Sequence, residues 1–244
     1  MSVSRYQTSL QVVQQAAVES GLGSPSVVFA STDANVILLR TLLNNCGREL
    51  STMRPWRALL KSGSVTAAAA AAPPAYGVNA LPTDFDYAID GTFWDNTSGW
   101  LLREADPVEW EEALVRLASP SPALFRFDGN SLWLYSDLAG NTITFRYISR
   151  YWVKPTGETA PTAEQSTADT DTLYYDPRLL VAMLKLKFRE ARGMDTTAAI
   201  VAFESVYSAV AGREQVAPVI PVGGGGFGFR FLDTMNVPDH GYGS

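Results

Sequence analysis

The stretch from Leu81 to Val153 limits the fold more than any other part of the chain. It alternates apolar and polar residues with a period of two, as in Phe85-Asp86-Tyr87-Ala88-Ile89, Phe125-Arg126-Phe127 and Ile143-Thr144-Phe145-Arg146-Tyr147. That period is the signature of a strand, whose successive side chains point to opposite faces of a sheet. Turn-forming residues separate the runs, at Asp95-Asn96-Thr97-Ser98-Gly99, Asp128-Gly129-Asn130 and Leu138-Ala139-Gly140-Asn141. The pattern predicts antiparallel hairpins with one buried face. A strand follows Pro82, with Phe85, Tyr87 and Ile89 on one face, and the last run shifts register at Ser149 before Tyr151 and Trp152. Asp106-Pro107, a capping residue followed by a proline, starts a short helix over 107–117 with Trp110, Leu114 and Leu117 as its stripe.

Helical sequence flanks this unit. Thr8 to Gly21 carries Leu10, Val13, Ala17 and Val18 as one stripe. Ser31-Thr32-Asp33 offers capping oxygens for a longer helix over 33–62. Its apolar positions are Val36, Leu38, Leu39, Leu42, Leu43, Cys46, Leu50 and Met53, and Pro55 predicts a break or kink near Thr52–Trp56. Gly47 falls mid-pattern, at a cost of roughly 1 kcal/mol relative to Ala. Residues 64–72 are expected to form a short edge strand, and the polar segment from Pro155 to Thr172 an exposed loop. Asp176-Pro177 begins a helix to Arg192 that is apolar nearly all round, and so is buried on more than one face. A last helix, capped by Asp195 or Thr196, runs to Ala211 on a stripe of Ile200, Phe203, Val206, Tyr207 and Val210.

The fold class that follows is α+β. Residues 1–62 and 173–212 make one discontinuous helical bundle, and residues 63–172 an inserted antiparallel β-sheet or sandwich. Residues 213–244 form an extended, Gly-rich arm, in which Gly223 to Gly226 precede Phe227, Phe229, Phe231 and Leu232. Alternating phenylalanines suit a segment that orders on a partner, so these four residues are the candidate partner-binding positions.

The residues offer little for catalysis. His240 is the only histidine and Cys46 the only cysteine, so Ser-His-Asp and Cys-His mechanisms, a metal site and a disulfide all lack their parts. Cys46 lies on an apolar stripe and is expected to be a core residue. The glycine run lacks the Lys-Ser/Thr of a phosphate-binding loop. Glu111-Glu112 are helix neighbours that do not converge. Asp84 and Asp86 share a strand and remain open as a glycosidase-type pair. Lys185, Lys187, Arg189 and Arg192 cluster at one helix end, where dipole compensation or salt bridges between subunits explain them. The chain is expected to use no cofactor and not to be an enzyme.

A net charge of −6 disfavours general nucleic-acid binding, and is compatible with a weakly repulsive channel wall to which passing DNA would not stick. Charged residues make up only 18% of the chain, as in a protein that buries surface against partners. No signal peptide and no membrane span are expected, and synthesis in the cytoplasm is the expectation.

The ordered segments resemble the head-to-tail adaptors of tailed bacteriophages, the tail-tubular or head-completion connector type. They are Cys46-Gly47-Arg48-Glu49-Leu50, Pro55-Trp56-Arg57-Ala58-Leu59, Ala80-Leu81-Pro82-Thr83-Asp84-Phe85, Gly91-Thr92-Phe93-Trp94-Asp95 and Pro107-Val108-Glu109-Trp110. Phe125-Arg126-Phe127, Phe145-Arg146-Tyr147-Ile148-Ser149, Trp152 and 167–172 follow, with the Asp176-Pro177 helix and Arg192-Gly193-Met194-Asp195 last. The resemblance spans roughly Leu39 to Ala211. It implies a homo-oligomeric, dodecameric ring at the head–tail junction of the virion, docked on the portal and receiving the tail nozzle or tubular protein, with DNA passing through its lumen. Two other readings stay open. One is a fibre or baseplate component of the tail. The other is a carbohydrate-binding or hydrolytic β module served by Trp94, Trp133, Asp84 and Asp86, which buried tryptophans would remove.

Overall fold

A computed structural model describes residues 5–69, 76–116, 123–135 and 138–214. Among them are five helices: α1 (Ser9–Glu19), α2 (Ala34–Met53), α3 (Pro107–Arg116), α4 (Pro177–Ala191) and α5 (Thr197–Glu214). The strands are β1 (Leu60–Thr66), β2 (Tyr76–Ala80), β3 (Phe85–Ala88), β4 (Trp94–Asp95), β5 (Trp100–Leu101), β6 (Arg103–Glu104), β7 (Leu124–Asp128), β8 (Ser131–Tyr135), β9 (Thr142–Ser149), β10 (Val153–Lys154) and β11 (Thr172–Leu173). The class is α+β, as expected.

Capping sets the helix starts. Thr8 and Gln11 close a reciprocal capping box on α1, and Asp33 accepts the N–H of Asn35 on α2. Asp106 accepts the N–H of Glu109, and Asp176 that of Arg178 ahead of Pro177. Of the break or kink expected near Thr52–Trp56, the structure has the break. Arg54 before the proline is extended, with φ −170° and ψ 162°, which ends α2 at Met53. The chain then makes one 3-10 turn over Arg57–Leu59 and enters β1 at Leu60, so the residues expected to continue the helix to Ser62 are strand. Trp56 fixes this corner, with its indole N–H donating 2.6 Å to the Leu50 carbonyl.

Helices α1, α2, α4 and α5 share one apolar cluster with Trp56, Ile148, Trp152, Val153, Leu173 and Tyr175. The buried face of α1 is Val12, Val13, Ala16 and Ala17; Val18 is exposed and Leu10 only packs at the edge, a rotation from the expected stripe. Met53, expected on the α2 stripe, is exposed. Helix α4 is buried on several faces, by Leu179, Leu180, Val181, Met183, Leu184, Leu186 and Phe188.

Three sheets occur among the described residues, the smallest being the pair β10-β11 beside the helices. Of the two larger, one runs β1-β9-β4-β5, with β3 also on β9; the other runs β2-β8-β7-β6. β1 is an edge strand, as expected, but it begins and ends earlier than 64–72. All named pairings are antiparallel except β6 with β7. Phe93, Phe125 and Phe145 stack at 4.1 and 4.8 Å and join the two larger sheets through one shared cluster. Trp110 and Leu114 of α3 form a smaller cluster with Leu124 and Tyr135 of the second sheet. Gly129 takes a positive φ in the two-residue turn between β7 and β8.

Strand β9 links the two cores. Ile143, Phe145 and Tyr147 face the sheet–sheet cluster, while Ile148 enters the helical one. A bulge between Phe85 and Tyr87 splits β3 the same way. Phe85 packs with the sheets and Tyr87 and Ile89 with the helices, so the three do not share one face.

The segment 155–172 is not simply exposed. Ser166 and Asp171 are buried, and one Asp171 oxygen accepts the N–H groups of Thr167 at 2.8 Å and Ala168 at 2.9 Å. Asp169 accepts the N–H groups of Val28 and Phe29, both at 3.0 Å, and Asn44 exchanges two hydrogen bonds with Ser166. A loop rich in short polar side chains can be buried once those side chains satisfy backbone donors.

Candidate functional site

Asp84 is a buried carboxylate of the β part with three side-chain partners. It takes the Lys61 ammonium at 2.5 Å, the Tyr147 hydroxyl at 2.8 Å and the Ser149 hydroxyl at 2.8 Å. Burial pushes its pKa up, but the hydrogen bonds from Lys61, Ser149 and Tyr147 outweigh it and hold the carboxyl below the ordinary 3.8. Burial and the same carboxylate push the Tyr147 phenol upward. Both Asp84 oxygens are thus committed within the fold, and Asp86 stands exposed at the β3 bulge. A glycosidase pair needs one carboxyl kept protonated and free to donate, which Asp84 is not.

This cluster makes a pH prediction. A depressed folded pKa contributes stability that is present above the unfolded value and is lost as pH falls through the folded one. Asp84→Asn is expected to cost about 1–2 kcal/mol at pH 7. The gap from the native chain should close as pH falls from about 5 to below 3.8, which urea unfolding at a series of pH values checks.

The tryptophans divide. Trp56, Trp110 and Trp152 are fully buried. Trp133 is half-buried in the second sheet, stacked 4.4 Å from Tyr76. Trp94 is at the margin of exposure in the first sheet and pairs across strands with Leu101, next to the 63% exposed Trp100. Trp94 and Trp133 therefore belong to different sheets, and neither joins Asp84 in a groove. Trp100, which the sequence reading did not single out, is the more accessible ring.

The basic cluster at the end of α4 is used within the chain. Lys185 meets Glu19 of α1 at 2.7 Å, Lys187 meets Glu49 of α2 at 2.9 Å, and Arg192 reaches the Asn35 side chain. Arg189 donates to the Asp195 carbonyl at 3.4 Å. These contacts within one chain tie α4 to both earlier helices. Cys46 is buried as expected, and burial pushes its thiol up to about 12, far from a reactive thiolate. Glu111 and Glu112 lie exposed on α3. No group of three metal-ligating side chains occurs among the described residues, and no described helix is long and apolar enough to cross a membrane.

What the body does offer is open apolar surface. Helix α5 is apolar around most of its circumference, yet only Ala199 and Val210 are buried, with Phe203, Val206 and Tyr207 packed at the edge of the core. Ile200, expected in its stripe, is exposed, and Val201 is 62% exposed on an outer face that it shares with Ala198, Thr197, Glu204, Ser205 and Ser208. Val108 and Val115 stand 77% and 80% exposed on the outer face of α3, one heptad apart. The lack of amphipathic contrast in α5 could have signalled this in the sequence, because a helix apolar all round is a buried helix. Phe227, Phe229, Phe231, Leu232, the glycine run and His240 lie outside the described residues. No family model matches the chain, and no curated protein matches it.

Proposed function

We propose that this chain is a structural subunit of a tailed-phage virion, a head-to-tail adaptor that assembles as a dodecameric ring between the portal and the tail nozzle, with DNA passing through its lumen. In this reading α1, α2, α4 and α5 form a bundle that carries the two larger sheets as an inserted sandwich. The arm over 213–244 presents Phe227, Phe229, Phe231 and Leu232 to the portal. The work is assembly, with no bond made or broken.

The observation that carries this reading is the outer face of α5. Ile200 and Val201 stand exposed on a helix of 18 residues that buries only two side chains, an apolar pair that a neighbouring copy would cover. Contact between unlike faces of neighbouring copies closes into a ring when the rotation permits. The open valines of α3 offer a second apolar face for such a contact. Committed carboxylates and a low charge content support the same reading.

Val201→Glu tests it. The side chain is exposed, so folding stability should change by less than about 0.5 kcal/mol. Buried between copies, an unpaired carboxylate costs several kcal/mol, on the order of a hundredfold or more in association. Light scattering should find the variant dissociated under conditions where the native chain assembles, with unchanged circular dichroism. Native-like assembly of the variant would remove α5 from the contact.

A further inference from the structure

The seven-residue strand β1 has one edge on which no described strand pairs, and the direction of that edge can be worked out from its neighbours. Ile89 donates to the Arg146 carbonyl and Asn96 to the Thr142 carbonyl, so the even-numbered residues of β9 turn their backbone groups toward β3 and β4. The odd-numbered Ile143, Phe145 and Tyr147 therefore turn theirs toward β1, where they face Val65, Gly63 and Lys61. By the same alternation the N–H and C=O groups of Ser62, Ser64 and Thr66 point away from β9. No described residue accepts or donates a backbone hydrogen bond there, and all three residues are exposed.

The last described residues end at the foot of this edge. Glu214 accepts the N–H of Arg57 at 3.0 Å, just ahead of the turn that leads into Leu60. Arg5 lies 3.8 Å from the same carboxylate. The following residues, 215–226, can span up to roughly 40 Å, and a strand of this length measures about 20 Å. Beyond the glycine run, the sequence Phe227-Gly228-Phe229-Arg230-Phe231 repeats with period two, which places its three rings on one face of any strand it forms.

We propose that residues 227–232 of the unassembled chain add to the open edge of β1 as a further strand. Main-chain hydrogen bonds at Ser62, Ser64 and Thr66 hold it, in the manner of strand addition to a sheet edge. The added strand covers an edge that would otherwise template pairing between copies. It also withholds the phenylalanines until assembly draws them away. The inference concerns the free chain alone and does not depend on a portal or a ring.

Amide hydrogen exchange on the dilute full-length chain tests it, with a full-length Gly228→Pro/Arg230→Pro variant as comparison. Proline removes donors and disrupts strand pairing without touching the body of the protein. The Ser62, Ser64 and Thr66 amides should exchange about tenfold or more slowly in the native chain than in the variant. The α4 amides should be unchanged, which confirms that the variant is folded. Equal exchange at the three positions in both chains would overturn the proposal. So would protection that appears only as protein concentration rises, because the strand would then come from another copy.

Discussion

Asp171→Ala is expected to lower the free energy of unfolding by about 3 kcal/mol. The carboxylate is 2% exposed and accepts three donors on one oxygen: the N–H groups of Thr167 and Ala168 and, at 3.3 Å, the Ser166 hydroxyl. Alanine leaves the Ser166 hydroxyl and the Thr167 and Ala168 N–H groups without this acceptor. The damage should spread, because the Ser166 hydroxyl also meets Ser9 at 2.5 Å and the Ser9 N–H donates to the Asp171 carbonyl at 2.9 Å. These contacts tie α1 to the segment that leads into β11. At about 2–4 °C per kcal/mol for a chain of this size, Tm should fall by roughly 10 °C. A thermal unfolding scan checks this. A fall of under about 2 °C would show that the loop is not an anchor.

Gly47→Ala is expected to destabilise by about 2 kcal/mol, although alanine is the better helix former by roughly 1 kcal/mol. A Cβ on Gly47 would fall within the Trp152 indole, which is buried against the helix at that point. The ring has little room to move, since it packs 5.6 Å from Tyr175, whose hydroxyl donates to the Gly47 carbonyl. Overpacking of this kind forces side chains off their rotamers. Trp152→Phe should cost stability alone but restore part of the loss in the Gly47→Ala background, a coupling that a double-mutant cycle in urea measures. Simple additivity of the two substitutions would contradict the close approach.

The two residues also show where the sequence was legible. The caps at Asp33, Asp106 and Asp176 and the Asp128-Gly129-Asn130 hairpin are local signals, and the structure has each of them where the sequence puts it. Gly47 looked like a local defect because its reason lies in Trp152, far along the chain. The 155–172 segment looked exposed because it lacks apolar residues, but its burial rests on Asp169 and Asp171 satisfying backbone donors. The β3 bulge broke a clean alternation and sent Phe85 and Tyr87 into different cores. For the candidate site, the commitment of Asp84 to Lys61, Tyr147 and Ser149 was invisible, since those three residues are brought together only by β1, β3 and β9 pairing. The open face of α5 was partly legible: its apolar residues were read as a stripe, whereas the helix is apolar around most of its surface.

In the proposed function, copies of this chain close into a ring at the head–tail junction. Light scattering of the purified, assembled protein measures the copy number without reference to any partner. The account predicts a dodecamer, dispersed by Val201→Glu. A trimer, which is the symmetry of a fibre, would contradict it.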